Sequence, residues 1–176
     1  GIPDFCGGGR GHSLSAGPNS GVVRMYDGST GQLLWSIDGF ASSELFGISI
    51  SAVGDLNGDG TCDLAAGAPG DATAPVPGGG AIRILNGSNG TILQTIHGTT
   101  PSGGLGTYIA CVGDVNGNQV VDIASGNPHF DATASGSSEG RTDVVDAAIG
   151  SIYSVVGTQP GDLLGASLAG RVDLSG

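Results

Sequence analysis

The chain contains no lysine, and its five basic residues are all arginine, against 16 acidic residues and a formal net charge of −11. A surface of that sign excludes a nucleic-acid binder and gives no attraction to anionic membranes, but it is compatible with bound divalent cations. Aromatic residues are few: one tryptophan, three tyrosines and four phenylalanines among 176 residues. Small side chains must therefore fill much of the interior, which suits closely stacked sheets. No apolar run approaches the roughly 20 residues that a membrane helix needs, so no membrane insertion is expected. No segment sustains a 3.6-residue apolar period, which predicts essentially no helix.

Other absences bear on chemistry. The three cysteines, Cys6, Cys62 and Cys111, are spaced irregularly, which fits neither a disulfide framework nor a zinc site. One disulfide or three free thiols both remain open. There is no G-x-S-x-G elbow and no Ser–His–Asp order, and only two glutamates are present, so an enzyme is not expected. His12, His97 and His129 are scattered and read as surface residues. The chain shows no signal peptide and begins at Gly1 without a methionine, which reads as a processed or excised segment.

What is abundant is glycine, 36 residues without a collagen-like period, alongside 38% apolar residues. The glycines mark a repeat. "GVVRMYDGSTGQLLWSIDG" from Gly21 aligns without a gap on "GAIRILNGSNGTILQTIHG" from Gly80, an offset of 59 residues. The same offset carries "VGDLNGDGTCDLAAGAP" onto "VGDVNGNQVVDIASGNP". A more divergent third copy runs through "RTDVVDAAIGSIYSVVG" and "LLGASLAGRVDLSG". Residues 1–176 thus read as one segment with repeats at approximately 1–59, 60–118 and 119–176, cut through an acidic loop at both ends.

Each repeat reads as four short strands: an alternating strand, a run of small apolar residues, and a hairpin with Gly- and Asn-rich turn residues. Four antiparallel strands repeated at this period predict an all-β fold of propeller blades. The sequons at Asn86 and Asn89 fall at such a hairpin tip and read as turn residues suited to positive φ.

The loop between the first two strands carries the chemistry. Asp55, Asn57 and Asp59 occupy positions 1, 3 and 5, Thr61 offers a backbone carbonyl at position 7, and Asp63 stands at position 9. Hard oxygen ligands at alternate positions, with glycines to turn the backbone, suit a calcium ion better than magnesium. Zinc would require His or Cys ligands. The second copy keeps Asp114, Asn116, Asn118 and Asp122 at the same positions, with Val120 at position 7. An EF-hand is excluded by the flanking strands and by Ala66 at position 12. At the ends, Asp173 and Ser175 hold positions 1 and 3 of a third loop, and Asp4 holds position 9 of another. With three carboxylates against two, and with Gln119 replacing Gly60, the first loop is expected to bind calcium more tightly than the second.

The block "LFGISISAVGDLNGDGTCDLAAGAP" resembles the FG-GAP repeat of integrin alpha-subunit β-propellers, with Phe46-Gly47 as FG and Gly67-Ala68-Pro69 as GAP. The second copy has Leu105-Gly106 and Gly126-Asn127-Pro128 in those places, and the third keeps Leu164-Gly165. The resemblance implies a propeller with calcium in its strand-connecting loops and ligands bound at one face. About three repeats would form part of a larger or assembled propeller. The expected role is a calcium-binding, extracellular or cell-surface segment serving adhesion, binding or scaffolding. It would take a protein or glycan ligand and could self-associate through the chain ends. The rival readings are a non-catalytic module of a secreted hydrolase or quinoprotein, and a structural subunit of a surface layer or filament.

Overall fold

The computed structural model describes residues 2–13, 16–133, 136–147 and 150–170. Among them are eleven strands and no helix. The strands are β1 (Phe5–Gly8), β2 (Val22–Tyr26), β3 (Leu33–Asp38), β4 (Ile50–Gly54), β5 (Asp63–Ala68), β6 (Ala81–Leu85), β7 (Ile92–His97), β8 (Tyr108–Gly113), β9 (Asp122–Asn127), β10 (Arg141–Asp146) and β11 (Gly150–Val156). They form three sheets, β1-β2-β3, β4-β5-β6-β7 and β8-β9-β10-β11, in which every neighbouring pair is antiparallel and sequential. These are propeller blades, whose outer hairpins turn on Gly-containing segments.

The expectation of four strands per repeat holds for the second and third sheets. The first sheet has three among the described residues. In repeat register, β1 is equivalent to β5. The difference shows in burial: every residue of β5 is buried, whereas β1 is mostly exposed and Phe5 is 54% accessible.

Successive sheets stack through their first strands, β4 against β8 and β1 against β4. The inner strands of the middle sheet, β5 and β6, are therefore buried on both faces. Leu64, Ala66 and Ala68 pack with Val23, Met25, Phe46 and Leu85 on one side. Ala65 packs on the other with Val53, Ile82, Ile84, Ile123 and Val145. Alternate residues of one strand thus face two different cores, as the pleat requires. The run "DLAAGA" is small because both neighbours approach it closely. A ladder irregularity recurs at the same place in all three sheets, at Met25/Tyr26, Ile84/Leu85 and Val144/Val145.

Three smaller expectations are settled here. All three cysteines are free thiols. Of the three histidines only His129 is exposed; His12 and His97 are half-buried. At the β6–β7 turn the positive φ is taken by Gly90, not by Asn86 or Asn89. Asn86 is instead buried, and its side-chain oxygen accepts hydrogen bonds from the N–H and hydroxyl of Ser88.

Candidate metal centre

The loop between β4 and β5 is shaped by its own acids. The Asp55 carboxylate accepts hydrogen bonds from the N–H groups of Gly58 at 2.7 Å, Asp59 at 3.1 Å and Gly60 at 2.8 Å. Asn57 Oδ1 accepts from the Asp59 N–H at 2.8 Å, and Asp59 Oδ1 from the Thr61 N–H at 2.9 Å. Asp63, fully buried at the start of β5, closes the loop by accepting from the Leu56 N–H at 2.9 Å and the Gly87 N–H at 3.0 Å. Polar side chains that bond their own backbone a few residues on are what turn the chain here.

The β8–β9 loop repeats the bonds that the first loop makes within itself. Asp114 accepts from the N–H groups of Gly117, Asn118 and Gln119 at 2.6, 3.1 and 2.7 Å. Asn116 Oδ1 accepts from the Asn118 N–H, Asn118 Oδ1 from the Val120 N–H, and Asp122 from the Val115 N–H. At the N-terminus Asp4 accepts from the Gly28 N–H at 2.9 Å, the counterpart of the bond from Gly87 to Asp63. Asp173 and Ser175 lie outside the described residues.

The electrostatics separate the rim of each loop from its floor. Asp59 and Asp114 are exposed, and their carboxyls sit below the usual carboxylate range. The N–H of Thr61 followed by the Asn86 amide lowers Asp59, and the N–H of Gln119 chiefly lowers Asp114. Asp122 moves the other way: burial raises it, and the nearby Asp146 carboxylate adds to the rise. Among the described residues no ion pair reaches Asp63 or Asp122, although both are fully buried.

Two partners of the loops escaped the sequence reading. Asn86, just after β6, donates from Nδ2 to Asp59 Oδ2 at 2.8 Å. Asp146, at the end of β10, accepts from the Nδ2 atoms of Asn116 and Asn118 at 2.8 and 2.6 Å. The signal that could have found them is the repeat column Asp27, Asn86, Asp146, which is polar in every copy.

The donor set fits a hard cation in kind: carboxylate, amide and carbonyl oxygens, with no nitrogen or sulfur ligand among them. Asp55 Oδ2 and Asp114 Oδ2 each accept one N–H and keep a further lone pair, whereas their Oδ1 atoms each accept two. Among the described residues, no three Asp, Glu, His or Cys side chains stand grouped as a metal would hold them. The carboxylates lie instead on the loop N–H groups.

The stretch from Phe46 through β4, the acidic loop, β5 and β6 matches the family model for the FG-GAP repeat, over residues 46–85. Residues 46–85 are thus similar to the FG-GAP repeat. Its FG pair touches both the preceding sheet and the GAP triplet. Phe46 of the FG pair is fully buried, and forms a parallel bridge with Gly21 of the preceding sheet. Gly67 of the GAP triplet donates its N–H to the Ser49 carbonyl at 2.9 Å and accepts from the Gly47 N–H at 2.9 Å. The acidic loop of the FG-GAP repeat lies between these anchors, at the far end of the β4–β5 hairpin.

Proposed function

We propose that the chain is a calcium-binding FG-GAP propeller segment of an extracellular or cell-surface protein, acting in adhesion, binding or scaffolding. The observation that carries the calcium reading is the pair Asp63 and Asp122. Each is a fully buried carboxylate whose described partners are hydrogen-bond donors rather than cations. A buried charge left uncompensated is costly, and a cation at the loop would offset that cost. Asp55, Asn57, Asp59 and Asp63, with the Thr61 carbonyl, would hold one ion. Asp114, Asn116, Asn118 and Asp122, with the Val120 carbonyl, would hold the other. Calcium would tie each hairpin end into its sheet, a structural rather than catalytic task. The binding role for a protein or glycan rests on the integrin-like repeat and on the acidic surface.

The test is thermal unfolding with excess chelator and with added calcium. A melting temperature that falls on chelation and recovers with calcium, but not with equal magnesium, supports the reading. A melt indifferent to both, together with no heat of calcium binding, would overturn it.

A second reading, self-association, rests on β1. Its outer edge pairs with no strand among the described residues. It borders a groove of about 500 Å³ lined by Phe5, Cys6, Met25, Ile50 and Leu64 among others. An open sheet edge beside an apolar groove invites a strand from another chain. The particle mass in solution tests it, a monomer at high concentration counting against it.

A further inference from the structure

The two acidic loops differ at position 5, where Asp59 in the first is Asn118 in the second. They also differ at the strand end beside that position, where Asn86 in the first is Asp146 in the second. In space the two differences are one exchange. The Asn86 amide donates to Asp59 Oδ2 at 2.8 Å, and the Asn118 amide donates to Asp146 Oδ2 at 2.6 Å. The same hydrogen bond is made in both sheets with donor and acceptor reversed. The carboxylate has moved from the loop to the strand while the contact has been kept.

Asp146 is placed to serve the loop. It lies directly across the β9–β10 ladder from Asp122, and both side chains are fully buried. The loop turns two amides toward it, since Asn116 Nδ2 also donates to Asp146 at 2.8 Å and reaches Asp122 at 3.4 Å. Both amides are held in orientation, because their Oδ1 atoms accept the N–H groups of Asn118 and Val120 at 3.0 and 2.8 Å. Counting the carboxylates around each loop then gives Asp55, Asp59 and Asp63 in the first, and Asp114, Asp122 and Asp146 in the second. The expected ranking of the loops rested on three carboxylates against two and on Gln119 in place of Gly60. With Asp146 included the first of these grounds disappears.

We infer that Asp146 is a cation-binding residue of the second loop, supplying from β10 the third carboxylate that Asn118 no longer provides. The inference rests on the calcium reading above and adds to it a residue that lies outside the loop. The chemistry is that of a hard divalent ion with oxygen ligands, whose affinity follows the number of charged ligands.

Calcium titration calorimetry on the chelator-stripped full chain tests it, with far-UV circular dichroism to establish that each variant is folded. The wild type should show two sites. Asp146→Asn should weaken one of them by about tenfold or more and leave the other unchanged, in keeping with the steep dependence of calcium affinity on ligand charge. The double variant Asn118→Asp/Asp146→Asn copies the first loop's arrangement and should recover the lost affinity. The recovery would show that what Asp146→Asn removes is carboxylate charge at the loop, since the exchange restores the count without restoring Asp146. If Asp146→Asn leaves both sites as they were, or if the folded double variant remains as weak as the single one, the inference fails while the calcium reading stands. A wild type that takes up no calcium would overturn both.

Discussion

Gly67 in β5 lies against the backbone of Gly106, so closely that a Cβ on Gly67 would come 1.9 Å from the Gly106 carbonyl oxygen. The GAP glycine of one sheet thus receives the glycine that leads into the next. The same seam recurs where Gly8 meets Gly47 and Gly126 meets Gly165. Gly67→Ala should therefore separate the middle and third sheets locally and cost about 1–3 kcal/mol or more, as overpacking does. Gly7→Ala is the control, because a Cβ there meets nothing within 4 Å. Its change should stay within about 0.5 kcal/mol. Urea denaturation of the two variants measures the contrast.

Arg83 is buried between the rings of Phe40 and Phe46, at 4.7 and 5.2 Å from their centroids, and pairs with both Glu44 and Asp71. Glu44 is also buried and accepts the N–H groups of Phe40 and Ala41. Removing Arg83 leaves two carboxylates buried without their counterpart. Arg83→Ala should cost about 3–5 kcal/mol in chemical denaturation. A loss below about 1 kcal/mol would mean that the site repacks or takes up water.

Gln119 holds φ at 68°, in the place where the first loop has Gly60 at 87°. A side chain in the left-handed region is strained by about 1–2 kcal/mol. Gln119→Gly should relieve that strain at the expense of a freer unfolded chain, for a net gain of up to about 1 kcal/mol. Gly60→Gln should lose a comparable amount. Paired melting curves under saturating calcium decide it, and a destabilised Gln119→Gly would show that the glutamine side chain makes a contact worth more than the strain.

Asp27 caps the β2–β3 turn by accepting the N–H and hydroxyl groups of Ser29 and Thr30. Those bonds, the Ser29 and Thr30 hydroxyls foremost, lower its carboxyl to about 2. A depressed carboxyl adds stability above its unfolded value near 3.8, and that contribution is lost as pH falls toward 2. Carboxyl-carbon NMR titration should place its midpoint well below those of ordinary exposed aspartates. Asp27→Asn should flatten the acid limb of the stability profile between those two pH values.

Most of the fold could be read along the chain. Strands of alternating residues, glycines at turns and a repeat offset of 59 residues are local or periodic signals, and the three sheets follow them. The acidic loops were equally legible, because Asp55 and Asp114 bond to N–H groups only three to five residues on. Interactions of that range depend on the order of residues and little else. The number of strands in the first sheet also agrees with the register in which Asp4 matches Asp63.

Tertiary structure decided what lies across ladders and seams. Asn86 is 27 residues from Asp59, and Asp146 is 28 from Asn118, so neither pairing has a local signature. The repeat offset shows that Asn86 and Asp146 are equivalent positions, but not that β6 and β10 bring them to the loops. The ion pairs of Arg83 and the seam between Gly67 and Gly106 were hidden for the same reason. The sequence by itself determined the strands, the turns and the loop chemistry, because each is stabilised by residues close along the chain. Only the pairing of strands and the stacking of sheets decided which buried charges meet, because a charge excluded from water must find its partner in space rather than in sequence.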